Sequence, residues 1–242
     1  MEASGVVFDK IQTGVCHSRP VIIAASGEKW IFNATKLFSE IGTIHPLSDE
    51  GVTGRPLTAQ KGIMMDVDEQ GQIWILFTDK TLGYFKKGST EVTKINCPFD
   101  MSDASRLFCL SNGWVAVTKL KGAIVLYRPQ QHHFQLITDA ILGSGGEKRV
   151  NYNRLWSDKE GRIWVASNIG CFRISCSADG AVAETHPFNP IIQQLTGVEP
   201  SEINDLCQDV FNPNLCWLAT PDGLIALFTD QTPSRIYTRF NG

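Results

Sequence analysis

The sequence predicts an all-β protein, a β-propeller of four-stranded blades with at least five Trp-bearing repeats, on three observations. First, five of the six tryptophans open the same pattern of a turn followed by an apolar strand. The five are Gly27-Glu28-Lys29-Trp30, Gly71-Gln72-Ile73-Trp74, Asn112-Gly113-Trp114, Gly161-Arg162-Ile163-Trp164 and Asn214-Leu215-Cys216-Trp217. Second, these tryptophans are spaced by 44, 40, 50 and 53 residues, a period that belongs to propeller blades rather than to helical solenoids. Third, turn residues punctuate each unit at strand-length intervals.

The repeats run approximately over 18–48, 62–97, 105–138, 152–187 and 203–240 within one propeller domain or propeller fragment, 1–242. In the second, Ile63 to Val67 is an apolar strand, Asp68 to Gly71 a turn, Ile73 to Thr78 the Trp strand, Leu82 to Lys86 a third strand and Glu91 to Asn96 an alternating fourth. The fourth repeat has the same plan, with Leu155-Trp156-Ser157, the turn Asp158 to Gly161, Ile163 to Ser167 and Cys171 to Ser175. One blade cannot cover its own faces, so its neighbours must. Trp30, Trp74, Trp114, Trp164 and Trp217 are therefore read as wedges between blades, each burying about 200 Å². Trp156 falls outside that register.

Composition bounds the function. The 242 residues are 43% hydrophobic and 19% charged, with 21 Gly and 11 Pro, ordinary for a β-protein built on tight turns. The net charge of -3 opposes a general nucleic-acid binder, which needs a basic stripe to neutralise phosphates. No apolar run approaches the roughly 18 residues of a membrane span, and the N-terminus has no charged-then-apolar leader pattern. Seven cysteines without paired spacing read as free thiols, which slightly favours the cytoplasm over a periplasmic sensor region. The absence of Cys-x-x-Cys and the distance between Cys171 and Cys176 give no metal knuckle. No cofactor is expected: Gly143-Ser144-Gly145-Gly146 lacks the Gly-Lys-Ser/Thr of a phosphate loop,.

The pattern Asp-x-x-Gly-x-Ile-Trp, seen in Asp68-Glu69-Gln70-Gly71-Gln72-Ile73-Trp74 and Asp158-Lys159-Glu160-Gly161-Arg162-Ile163-Trp164, resembles the two-component regulator propeller repeat. The third repeat departs through the shortened turn Ser111-Asn112-Gly113, and in the fifth Phe211-Asn212-Pro213-Asn214 replaces the acidic turn. The resemblance implies the sensory region of a signalling protein, in a ring usually larger than five blades, with any output domain outside this chain. Val6 to Ile11 and Arg235 to Phe240 both read as outer strands. That leaves open a five-bladed ring, a larger array, or assembly between chains.

If successive strands alternate outward from the axis, the interblade connections and the turns between second and third strands emerge on one face. The long connections are Ser48 to Lys61, Thr138 to Val150 and Pro187 to Ser201, and binding residues concentrate on such loops. Arg55, Lys148, Arg149, Tyr152 and Arg154 are the candidate ligand- or partner-binding residues, able to engage a carboxylate or phosphate. Lys80, Lys119 and Lys121 share that rim, against the competing reading of a solvated charged surface. His132 and His133, adjacent on an expected outer strand, would point to opposite faces rather than converge on a metal. No catalytic constellation is visible. The expected function is a non-enzymatic propeller binding a small-molecule ligand or protein partner; the alternatives are a free-standing interaction scaffold and, through a looser similarity in its Gly-x-Ile-Trp strands, an enzyme of the streptogramin lyase type.

Overall fold

The computed structural model describes residues 21–23, 29–34, 42–48, 51–52, 62–86, 91–138, 150–177, 181–197, 202–209, 211–230 and 232–238, with backbone alone before residue 62. The chain divides into two compact units, Met1–Cys109 and Leu110–Gly242. The proposed outer strand Val6 to Ile11 lies outside the described residues.

The first unit holds β1 (Val21–Ile23), β2 (Lys29–Ala34), β3 (Gly42–Ser48), β4 (Gly51–Val52), β5 (Gly62–Val67), β6 (Ile73–Phe77), β7 (Leu82–Phe85), β8 (Val92–Ile95) and β9 (Ala104–Cys109). Its antiparallel order is β1-β2-β3-β5-β6-β7-β8, with β4 on β3, and β3 meets β5 through the single pair Gly42–Gly62. Met65, Ile73, Ile75, Phe77 and Phe85 form its buried cluster.

The second unit holds β10 (Val115–Lys119), β11 (Ile124–Arg128), β12 (His133–Ile137), β13 (Tyr152–Ser157), β14 (Ile163–Ser167), β15 (Gly170–Cys176), β16 (Val182–Pro187), α1 (Asn189–Thr196), β17 (Asp205–Gln208), β18 (Leu215–Thr220), β19 (Gly223–Phe228) and β20 (Arg235–Tyr237). Two four-stranded sheets, β13 to β16 and β17 to β20, follow chain order, as do the paired strands β10 to β12. Every paired neighbour is antiparallel and adjacent in sequence, as short turns require. The protein is therefore all-β, built mainly of four-stranded antiparallel sheets.

The turn before each Trp strand shows why the motif reads as it does. The Asp68 carbonyl accepts from the Gly71 N–H at 3.0 Å, and Gly71 takes φ 75°, a left-handed conformation that glycine adopts without steric cost. Gly161 repeats it at φ 76°. The acid organises the rest. Asp68 Oδ1 accepts from the N–H groups of Gln70 and Gln72 at 3.0 and 2.8 Å, while Oδ2 accepts from Trp74 Nε1 at 2.8 Å. Asp158 does the same for Glu160 and Arg162 at 3.1 and 2.9 Å and for Trp164 Nε1 at 3.0 Å.

The fifth repeat corrects the sequence reading, because its turn is not without an acid. Asp209, two residues before the expected stretch, accepts from the N–H groups of Phe211 and Asn212 at 2.9 Å each and from Trp217 Nε1 at 3.0 Å. The turn is longer, so the carboxylate sits eight residues before the indole instead of six. In the third repeat Asn112 Oδ1 accepts only from the Trp114 N–H, at 3.3 Å, and the Arg128 guanidinium lies over the Trp114 ring at 5.0 Å.

Trp74, Trp114 and Trp164 are 0%, 3% and 1% exposed, and Trp217 is half-buried; of Trp30 only the backbone is described, in β2 opposite Ile22 and Pro46. Between the last two sheets a single apolar cluster joins Trp164, Ala166, Cys171, Phe188 and Ile192 to Leu206, Cys216, Leu218, Ile225 and Leu227. Trp156, opposite Trp164 in β13, packs against this cluster. Phe188 stacks on Trp164 at 4.9 Å and 10°. Arg173 lies over both rings, at 5.5 and 5.6 Å, and its own burial lowers its pKa, with Arg162 adding to the effect.

Two further expectations change. The connection from Pro187 to Ser201 contains α1, where Pro190 in the first turn favours helix and Gly197, at φ 75°, closes it by donating to the Gln193 carbonyl at 2.9 Å. Ile192 is buried, with Ile191 and Leu195 packed beside the cluster, so an apolar stripe has a wall to cover. His132 is not a strand residue: it ends the 3-10 turn Pro129–Gln131 at φ 47°, and β12 begins at His133. Among the described residues, Cys97, Cys109, Cys171, Cys176, Cys207 and Cys216 are not joined in disulfides. Burial pushes the Cys216 thiol up to about 12 and raises that of Cys171 further.

Replacing Trp164 with Ala is expected to cost about 3 to 5 kcal/mol through the cavity it leaves. Asp158→Ala should cost about 3 kcal/mol, because a buried indole N–H and two turn N–H groups lose a charged acceptor. Urea unfolding with an unchanged m-value measures both. The Trp217 indole bond holds the Asp209 carboxyl below its usual value of 3.8, with the turn N–H groups helping. A depressed folded pKa means that this contribution is present above the unfolded value and lost as pH falls through the folded one. The Trp217 Nε1–H resonance should therefore titrate below pH 3.8 and stop doing so in Asp209→Asn.

Candidate functional site

In three places among the described residues, the start of a sheet or the approach to it is held by the turn between the second and third strands of the sheet before it. In the first unit the β6–β7 turn bends at Lys80, φ 65°, whose Nζ donates to the Ala104 carbonyl at the start of β9 at 2.8 Å. In the second, the β10–β11 turn meets the start of β13: Lys121 bridges Val150, and the Tyr152 phenol donates to the Gly122 carbonyl. The β14–β15 turn then holds the approach to β17, with Ile203 N–H donating to the Ser167 carbonyl at 2.9 Å. Second-to-third-strand turns and sheet starts thus share a face within each unit, as strand alternation predicts.

Asn189, at the start of α1, bridges this same β14–β15 turn. Its Oδ1 accepts from the Cys171 N–H at 3.0 Å and its Nδ2 donates to the Ile169 carbonyl at 2.9 Å. A Cβ on Gly170 would collide with the Asn189 amide. Sequence reasoning had no signal for this residue beyond an Asn-Pro pair.

The candidate residues separate on inspection. Arg55, Lys148 and Arg149 lie outside the described residues. Tyr152 is 2% exposed and ties β13 to the preceding turn. Arg154, half-buried one register position along β13, faces Asp205 of β17 across 3.7 Å. Asn153, between them, donates to Glu202 Oε1 and to the Ile203 carbonyl, each at 3.0 Å. Residues 152 to 154 therefore bring β13 against β17, and with Arg154, Asp205, Asn153 and Glu202 they present a small mixed-charge polar cluster. The Arg154–Asp205 pair is largely solvated on the acid side, and exposed pairs of this kind contribute about 0 to 1 kcal/mol. Nearby Cys207 is held as a thiol by desolvation and by Asp205, which disfavours a nucleophilic thiolate. Sequence reasoning missed Asp205 as Arg154's partner, since their approach depends on how adjacent sheets pack.

Among the described residues no group of three or more His, Cys, Asp or Glu is placed to hold a metal, and no helix is long and apolar enough to cross a membrane. The chain matches no family model and no curated protein. Solved structures share its fold. The extracellular domains of the hybrid two component systems BT4673 and BT3049 from B. thetaiotaomicron align at 15% and 14% identity with TM-score 0.63 each, over 87% and 91% of this chain. The chain spans only 27% and 28% of those two structures. Streptogramin B lyase aligns at 13% identity and TM-score 0.59, over 90% of this chain and 67% of the lyase. These similarities define a propeller-like all-β class and, at such identities, show the fold alone.

Tyr152→Phe is expected to cost about 1 to 2 kcal/mol, as a buried carbonyl loses its donor. The loss should appear in denaturant unfolding and as faster amide exchange of β13 than of β14.

Proposed function

We propose that this chain is a β-propeller of at least five Trp-bearing blades, whole or as part of a larger ring, that recognises a ligand or protein without catalysis as the sensory part of a signalling system. The observation that carries this reading is the division of labour in the second, fourth and fifth repeats. Asp and Trp, with Gly in the second and fourth, make a fixed scaffold at one end of the strands, while the opposite end carries the second-to-third-strand turns and the long connections that vary between repeats. Loops on a rigid frame can change their ligand without altering the blades. The extracellular domains of two component systems among its fold neighbours support the sensory role.

Recognition is assigned to the loop-bearing face, with Lys148 and Arg149 preceding β13 and Arg154 on it as cationic donors in the second unit. Arg55 is to be tested separately in the first. Tyr152 contributes by positioning, since its phenol holds the start of β13.

The test uses thermal shift with a panel of dicarboxylates and sugar phosphates. A ligand that raises the melting temperature should lose its effect in Lys148→Glu/Arg149→Glu, whose unliganded melting temperature should stay within about 1 °C of the parent. Added salt should weaken binding, whereas Lys159→Glu at the opposite strand ends should bind normally. Loss of binding in Lys159→Glu alone would overturn the face assignment. The lyase neighbours favour a second reading, because this chain covers more of them; turnover of quinupristin, the compound present in one such structure, would establish it in place of the binding role.

A further inference from the structure

Two places in the second unit repeat one arrangement of side chains. In β10 to β12, Arg128 pairs across the ladder with His133, and its guanidinium lies over the Trp114 ring at 5.0 Å. In β13 to β16, Arg173 pairs with Trp164 on one side and His186 on the other, and it lies over the Trp164 ring at 5.5 Å. Cross-strand partners share a face, so each place carries Trp, Arg and His in order towards the terminal strand, β12 or β16. Both rows border seams inside the unit. The first meets β13–β16: the turn before Trp114 bonds to the turn after β13, and while burial raises the Cys176 thiol, Arg128 opposes that rise. The second meets β17–β20 through the cluster that joins Trp164 to Leu218.

These two arginines lack an acid. Arg162 and Arg154 face carboxylates across 2.6 and 3.7 Å, whereas among the described residues neither Arg128 nor Arg173 forms an ion pair. Arg128 donates one long hydrogen bond, from Nη2 to the Asn112 carbonyl at 3.4 Å, and Arg173 makes ring contacts alone. Asp158 is already engaged by Trp164 and Arg162. Burial lowers the pKa of Arg173 and Arg162 adds to that, while Asp158 and Glu184 oppose it through charge. Stacking uses the flat face of a guanidinium and leaves its N–H edge available for hydrogen bonds. The ring beneath also fixes the plane of that edge, so less order is lost on binding. Both arginines are half-buried and His186 is exposed beside Arg173. His133 Nε2 is shielded from solvent with no hydrogen-bond partner, which costs free energy until one arrives.

We propose that the two Arg–His pairs are docking points for acidic side chains of a protein partner, with one carboxylate on each guanidinium. A planar carboxylate matches the guanidinium fork with two parallel hydrogen bonds, and the neighbouring imidazole supplies a further polar contact. The charge on Arg173, already opposed by Glu184, suits one negative charge better than the two of a phosphate. The arrangement recurs in successive sheets, so one segment carrying two acids can use both places. Its second contact then forms at the effective concentration set by the first. These seams are separate from the loops assigned to Lys148 and Arg149, and the proposal stands independently of that assignment.

The experiment is fluorescence anisotropy of a labelled peptide of alternating Glu and Ser, about ten residues and about 33 Å long when extended, titrated with the whole chain. The net charge of -3 gives an acidic peptide no general attraction, so binding reports a local site. Saturable binding is expected, lost when Gln replaces Glu in the peptide. Arg128→Gln and Arg173→Gln should each weaken it about tenfold and the double variant about 100-fold. Arg173→Lys, which keeps the charge and loses the fork, should weaken it nearly as much as Arg173→Gln, whereas Lys159→Gln should bind as the parent does. In the unsubstituted protein the Arg128 and Arg173 Nε–H resonances should shift as the peptide saturates, a readout that does not depend on the variants folding. Absence of binding, unshifted arginine resonances, or full affinity in Arg128→Gln/Arg173→Gln would each overturn the proposal. Displacement of the peptide by inorganic phosphate at a lower concentration than by glutarate would overturn the carboxylate assignment, and loss of binding in Lys148→Glu/Arg149→Glu alone would move the contact to the loops.

Discussion

In three of the described repeats the fold depends on one carboxylate. Asp68, Asp158 and Asp209 each use one oxygen for two turn N–H groups and the other for an indole N–H. The turn conformation, the register of the strand that follows and the orientation of the large ring are thereby set together. An indole can be buried only if its N–H finds an acceptor, and the turn supplies one without spending a strand position. Asp158 is itself buried, and its Oδ2 also accepts from Arg162 Nε at 2.6 Å, so the charge is satisfied on every side. The third repeat has no acid at this place. It instead joins its turn to the next one, through Ser111 Oγ and Ser157 Oγ at 2.8 Å and Asn112 Nδ2 donating to the Gly161 carbonyl at 2.8 Å.

That substitution shows two ways of making neighbouring sheets cohere. One works inside a repeat, by anchoring the ring that the next sheet must cover. The other works between repeats, by bonding turn to turn. A related bond occurs in the first unit, where buried Asp66 Oδ2 accepts from the Cys109 N–H at 2.8 Å. At the other strand ends the stitching passes through Lys80, Tyr152, Asn153 and Ser167. Both ends of the sheets are therefore fastened by polar groups, while the middle is apolar. This leaves the loops beyond Lys80, Gly122 and Ser167 free to differ in length, as α1 does after β16.

The fold class was legible because its signals are local. Five similar turn-plus-Trp strings and their period required only that glycine, acid and apolar strand recur at fixed offsets. The resemblance implied a sensor region, and the neighbours among solved structures include extracellular domains of two component systems. What escaped was whatever depends on a longer turn or on packing. Asp209 was hidden because the insertion in its turn moved it two positions away from the motif. Asn189 and α1 were hidden because an eight-residue helix beside two prolines reads as loop until the cluster around Ile192 gives its apolar side something to cover. His132 was misassigned because a left-handed residue after a Pro-led turn has no signature when the residue is not glycine. For the site, Tyr152 and Arg154 were found as residues but not as partners of Gly122 and Asp205, since no sequence spacing reports which sheet start lies beside which turn.

The meander connectivity of the last two sheets has a kinetic consequence. In β13–β16 and β17–β20 every backbone ladder joins strands adjacent in the chain, so little loop-closure entropy is spent before those hydrogen bonds form. The contacts that bridge larger separations are side-chain bonds such as Asn153 to Ile203 and the cluster around Trp164. Each sheet can thus assemble as a local event and then dock, giving the second unit the character of a one-dimensional chain of coupled elements in which order started at one sheet spreads to the next.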